Sequence, residues 1–153
     1  MQISEIAQKL SHLLEKGAKL IRDSSENELK SKPSPNKWSK KEILGHLIDS
    51  GINNLQRFTE IQFEKKPYKI RKYNQNELVN TNHYNEANTD EILSFWLAIN
   101  ERIIKVIELQ DEYTLAYQIE ISEGEKSDFK FLIEDYVDHM EHHLDQIAKS
   151  HNK

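Results

Sequence analysis

WSKKEILGHLIDSGINNLQRF, residues 38–58, carries a helix start and a helix face in one run. Ser39 and Glu42 form an S-x-x-E capping box, in which each side chain satisfies a free backbone N–H of the other. Trp38, just before the cap, is placed to pack on Ile43 as a hydrophobic staple. Ile43, Leu44, Leu47, Ile48, Ile52, Leu55 and Phe58 then recur at helical spacing, so the helix runs to about Phe63. A helix with a single apolar stripe must bury it against other elements, and this one sets the search for its partners.

Three further stripes answer it. Ile3, Ile6, Leu10, Leu13, Gly17 and Leu20 alternate at spacings of three and four and mark a first helix to about Asp23. Between these two helices, SSENELKSKPSPNK is polar, carries two prolines and reads as a loop. Residues 65–88 include Pro67 and hold no sustained period; they read as a long connection with one short helical turn. A third helix opens at Asn88, with Glu91 completing a capping box, and continues through Ile92, Trp96, Ile99, Ile103 and Ile107. In TLAYQIEI, Leu115, Tyr117, Ile119 and Ile121 alternate, which predicts a short extended segment followed by a turn at Gly124. The last helix spans about Ser127 to Lys149. The expected fold is all-α, a four-helix bundle. The link over 65–88 is long enough to return along a helix of about 39 Å at about 1.5 Å per residue. Helices 2 and 3 are therefore expected to be parallel, in an up-down-down-up order with a long crossover.

The 153 residues suit one domain, 1–153, with a sizeable core. Four Gly and three Pro leave few turns for an all-β fold. A formal charge of −5 without a basic cluster argues against nucleic acid as a partner. No stretch approaches a membrane span, since ILSFWLAI is far short of the roughly 20 apolar residues required. MQISEIAQKL lacks a signal peptide's apolar core, so the expected location is cytoplasmic. The chain has no cysteine, which removes disulfides, thiolate ligands and cysteine nucleophiles.

Chemistry concentrates in histidine, of which there are seven. His139 and His143 are four apart and share a helix face, the spacing at which two imidazoles can address one ion. At about 100° per residue, His143 lies roughly 60° from the apolar centre, His139 roughly 100° and His142 roughly 160°. His143 thus borders the core, His139 sits on its shoulder, and His142 faces solvent. His46 lies on a polar stripe with Glu42, Asp49, Ser50, Asn53 and Arg57. That stripe is either a solvated face or one wall of a groove where His46 meets the pair. His12 is on the polar side of helix 1, His151 is in the tail, and His83 lies in the long link with nothing to direct it. H-E-x-x-H, E-x-x-H, glycine-rich phosphate-loop and G-x-S-x-G motifs are all missing.

The segments KWSKKEILGHLIDSGINNLQRF and FLIEDYVDHMEHHLDQI, with YNQNELVNTNHYNE between them, resemble the DinB-like superfamily, which includes the YfiT-type metal-dependent hydrolases. The W-S-x-x-E-x-x-x-H-L-x-D run and the later H-x-x-x-H carry the likeness. It implies the same four-helix topology and one divalent ion held by His46, His139 and His143, with His142 matching no ligand. It also implies a homodimer, as many members form, and a chemistry that ranges from hydrolysis to thiol-dependent transfer. Three protein ligands leave a coordination position open, as in catalytic zinc sites. Zinc, nickel or iron(II) suits such imidazole ligands. Asp49, Asp135 and Asp138 are placed by helix spacing to orient ligand rings, and Asn53 with Arg57 to anchor an anionic substrate. No residue stands out as a general base. The expected partner is a small-molecule substrate, with a low-molecular-weight thiol in the transferase case. The alternative is a non-enzymatic module for metal binding or stress-related interaction. Imidazole must be neutral to ligate, so metal affinity is expected to drop below about pH 6.5.

Overall fold

A computed structural model describes residues 1–149. His151 lies outside them. The elements, in chain order, are α1 (Ile3–Arg22), α2 (Glu26–Lys30), α3 (Lys40–Glu60), β1 (Tyr68–Lys69), α4 (Gln75–Thr81), a 3₁₀ turn (Tyr84–Glu86), α5 (Thr89–Glu108), α6 (Glu112–Leu115), β2 (Gln118–Ser122), β3 (Glu125–Asp128) and α7 (Phe129–Ala148). The long helices α1, α3, α5 and α7 make the bundle.

Side-chain contacts give the directions. Lys9 meets Asp138 and Glu141, and Lys16 meets Asp145, so α1 and α7 run parallel. Phe58 packs on Phe129 at 5.6 Å between ring centroids while His46 reaches His139, so α3 is antiparallel to α7. Lys41 bonds the carbonyl of Ala87 just before α5, and Gly51 faces Ile99, so α3 and α5 are parallel. Gly17 abuts Trp96 while Ile21 shares a cleft with Thr89, which makes α1 antiparallel to α5. The order is up-down-down-up, as the long 65–88 link demands.

The start of α3 is held as its sequence predicts. Ser39 Oγ accepts from Glu42 N at 3.0 Å, and Glu42 Oε1 accepts from Ser39 N at 2.9 Å. Glu42 also pairs with Lys32 at 2.8 Å, and Ser39 Oγ lies 2.6 Å from Asn85 Oδ1 as donor. Ser39→Ala therefore removes a cap and leaves a polar partner behind. The expected loss is about 1–2 kcal/mol, read as a lower urea midpoint with unchanged slope.

Four local features differ from expectation. The 24–37 segment is not all loop, because Ser25 and Glu28 form a capping box of their own and nucleate α2. At Asn88 only half of the box forms: its side chain accepts from Glu91 N, and the exposed Glu91 does not return the bond. The α3 helix ends at Glu60 rather than Phe63. The extended segment is shorter than its alternation suggests, since Leu115 ends α6 and Tyr117 precedes β2; that strand pairs with antiparallel β3 in a hairpin, and β1 from the long link joins it in parallel. Tyr68 and Ile119 are register partners in that small sheet and belong to the buried core, as do Phe58, Ile61 and Phe129. The sheet is a minor addition to a mostly helical fold.

The links before and after α3 have a larger consequence. α2, α4 and the 3₁₀ turn all pack on α3, so every residue from Ser39 to Gly51 is buried, polar ones included. Lys41, 3% exposed, is compensated by Glu26 at 2.9 Å and the Ala87 carbonyl at 2.8 Å. Among the described residues no helix is long and apolar enough to cross a membrane.

Candidate metal centre

His46 sits on the inner face of α3 with no exposure, and its stripe is a groove wall rather than a solvated face. The α7 pair meets it there. His46 Nε2 is 3.2 Å from His139 Nε2, which is 3.1 Å from His143 Nε2. The three rings stand nearly edge-on to one another, at interplanar angles of 74–77°. All three candidate ligand atoms lie within 4.8 Å of one another. His142 is exposed, as the helical wheel requires. His12 is exposed on α1, and His83, 76% exposed, turns toward Glu86.

The donor set fits a divalent ion. Nitrogens about 2.0–2.1 Å from one ion at tetrahedral angles are about 3.3 Å apart, close to the two short edges. A neutral imidazole has one proton for two nitrogens, so three converging Nε2 atoms cannot all donate to each other. His143 Nδ1 lies 2.7 Å from Gln146 Oε1; with that oxygen accepting, the proton is on Nδ1 and the Nε2 lone pair is free. Gln146, three residues on along α7, is the orienting residue that sequence reasoning missed. Trp38 is the other omission. Its half-buried ring lies beside the site, 4.8 Å from His46 and 6.5 Å from His143 between centroids. An S-x-x-E start predicts a staple at Trp38, but nothing in sequence shows the ring lying on imidazole.

The expected supporting residues divide. Asp49 is buried, and its Oδ1 accepts from Tyr84 OH at 2.6 Å rather than from a histidine. Burial raises its carboxyl, and burial also pushes the Tyr84 phenol up. His46 Nδ1 and Asp49 Oδ2 are both enclosed without a partner. Asn53 donates to the Asp49 carbonyl at 2.9 Å. Asp138 is 71% exposed and paired with Lys9, so it stands outside the site. Arg57 and Asp135 line a cavity of about 280 Å³ that His139 also lines.

Burial, reinforced by the neighbouring rings, pulls His46 down to about 3 and His139 to about 4. Burial also lowers His143, with Gln146 opposing. His46 and His139 are therefore neutral through the range in which a free histidine titrates, near 6.5. Loss of metal, expected below about pH 6.5, moves to lower pH for this physical reason. Stability behaves differently. Above about 6.5 the folded and unfolded rings are equally neutral, and this contribution is fully present. Below it the unfolded chain takes up protons that the folded chain refuses, so stability falls until the folded values are reached. Metal-free protein should lose urea midpoint between about pH 7.5 and about pH 5.5, and His46→Gln should lose less. The raised carboxyls of Asp49 and Asp135 act in the opposite sense, and comparison with the variant removes their effect.

The DinB superfamily profile matches residues 9–147. No curated protein matches the sequence. Among solved structures the chain resembles YfiT from Bacillus subtilis, described as a probable metal-dependent hydrolase with an unusual four-helix bundle topology. The TM-score is 0.86 at 18% identity, covering 96% of this chain and 84% of that one. It also resembles the mycothiol-dependent maleylpyruvate isomerase, with TM-score 0.73 and 11% identity over 96% of this chain and 61% of the isomerase. A histidine-to-alanine variant of that isomerase aligns at TM-score 0.75 and 9% identity with the same coverage. At these identities the likeness is one of fold, and the chain spans about three fifths of the isomerase.

Proposed function

This chain belongs to the DinB superfamily, and on that footing we propose that it binds one divalent metal ion through His46, His139 and His143 and activates a small nucleophile at the position they leave open. The observation that carries this reading is the convergence of three Nε2 atoms from two helices, at 3.1 and 3.2 Å, in a half-buried site. An ion held there supplies Lewis acidity, making a nucleophile of water or a thiol near neutral pH.

The chain's own residues do the rest. Burial keeps the imidazoles neutral and ready to ligate. Gln146 holds His143 in the ligating tautomer, and Trp38 packs its ring beside that of His46. The cavity beside His139 gives a substrate its approach. Water as nucleophile makes the protein a metal-dependent hydrolase. A second reading, thiol transfer, is favoured by the likeness to a mycothiol-dependent enzyme; without any cysteine, this chain would take the thiol from a small molecule.

Titration of tag-free, metal-free protein with zinc, nickel and iron(II) tests the site. One equivalent should bind and change Trp38 emission; no binding of any of the three sinks the proposal. Activity screens with and without a low-molecular-weight thiol then separate hydrolase from transferase. Metal binding without turnover, together with an unchanged cellular effect of His46→Ala, would favour the non-enzymatic module.

A further inference from the structure

The cavity beside His139 is more than a gap. Ser50, Asn54 and Arg57 line it from successive turns of α3, and Asp135 and His139 line it from α7. Because α3 and α7 are antiparallel, the cavity runs along their groove, with His139 toward one end and Arg57 toward the other. The rise from Ser50 to Arg57 is about 10 Å.

At the far end stands a guanidinium with no carboxylate in contact with it. Among the described residues Arg57 forms no ion pair. It donates to Asn54 Oδ1 at 3.3 Å and to the Arg71 carbonyl, and it lies over the Tyr73 ring at 5.3 Å from the centroid. Those bonds tie the linker to α3, which is a structural role. They use two of five guanidinium N–H donors and none of the charge. Nε is enclosed and has no acceptor. Lys72 adds a second positive charge to the lining, and Gln75 an amide. Asp135 is the one carboxylate in the lining; it is exposed and acts on the Arg57 charge across the cavity without contacting it.

A partly desolvated charge without a partner is costly, and an anionic oxygen group is the ligand chemistry that offsets it. We propose that this cavity is a substrate subsite for a small molecule bearing a carboxylate or phosphate group, gripped by Arg57 and Lys72, with its reacting end directed along the groove to His139. The proposal rests on the metal-site reading for what happens at that reacting end, but not for the anion grip itself. Arg57 and Lys72 are specificity residues: they choose the anionic end and set how far along the groove the ligand reaches.

The test uses metal-free protein, so the grip is read apart from the ion. Succinate, inorganic phosphate and the uncharged succinamide are titrated, following the Arg57 Nε–H and His139 ring resonances by NMR. One or both anions should bind and shift these resonances, with the tighter one identifying the source of the charge, and succinamide should not. Arg57→Gln should weaken binding roughly tenfold or more, and Arg57→Lys should fall between. Lys72→Gln, at an exposed position, should weaken it by a factor of about two to five, and Asp135→Asn should tighten it by a similar factor. Equal binding of succinamide, or an Arg57→Gln protein that binds as well as wild type, overturns the proposal. Should Arg57→Gln fail to fold, Lys72→Gln and Asp135→Asn decide it: unchanged affinity in both overturns it. A protein that takes up zinc but no anion sinks only this subsite, and one that binds anions but no metal sinks only the proposed function.

Discussion

Replacing His46 with alanine is expected to weaken zinc binding about 100-fold, although the residue lies 93 positions upstream of His139. Structural zinc sites with four ligands are worth roughly 10–16 kcal/mol, so each ligand carries about 3 kcal/mol, or about two orders of magnitude. His139→Ala and His143→Ala should cost the same, because all three rings present Nε2 to the same point. Gln146→Ala should cost about tenfold, since it frees the ring that its Oε1 holds at 2.7 Å. His142→Ala should change nothing. Competition with a chelating dye measures all five. Loss at His142 equal to loss at His143 would mean the wrong ring had been excluded. An unaltered His46→Ala would reduce the site to the α7 pair.

Gly45→Ala should destabilise the protein by about 3 kcal/mol, opposite in sign to what a helix interior predicts. Alanine in place of glycine normally gains about 1 kcal/mol there. At this position a Cβ would stand 2.1 Å from Tyr84 Cδ2, 2.2 Å from Cγ and 2.8 Å from Cβ. These atoms are the root of the ring rather than a flexible tip, so Tyr84 would have to leave its place. Overpacking of this kind costs 1–3 kcal/mol or more, and the displaced phenol also abandons the buried Asp49 carboxylate it now bonds at 2.6 Å. At about 2–4 °C per kcal/mol the expected fall in Tm is about 6–12 °C. The double variant Gly45→Ala with Tyr84→Ala should lose less than the sum of the two single losses, since the two closest clashes, with the ring, are relieved and only the Cβ contact remains. A Tm equal to or above wild type would show that the linker is not packed on α3 in this way.

Much of this protein is legible from local pattern. The capping box at Ser39, the stripes of the long helices and the length of the 65–88 link predict the bundle and its up-down-down-up order. The same periodicity separates His142 from His139 and His143. What went unread is short or reciprocal: the five-residue α2, the second strand of the hairpin, and the hydrogen bond from His143 to Gln146. Elements this brief have little period to detect, and a bond between two side chains depends on rotamers as well as on spacing. Asp138 shows the converse error. Its helix spacing suited a supporting role, but Lys9 of α1 lies across from it and turns it outward.

Sequence alone determined the four long helices, about where they start, and which histidines share a face, because hydrogen bonding and side-chain direction within a helix depend on near neighbours. It left open whether the polar stripe through His46, Asp49 and Ser50 was wet or enclosed. Only the tertiary structure decided that. A helical wheel gives the angle of a residue on its own helix, but burial depends on what packs opposite. Here α2 from the preceding link and α4 with the 3₁₀ turn from the crossover pack on α3, and α7 brings His139 and His143 against His46. A stripe that periodicity assigns equally well to solvent becomes the wall of a site whose imidazoles are held neutral and converging.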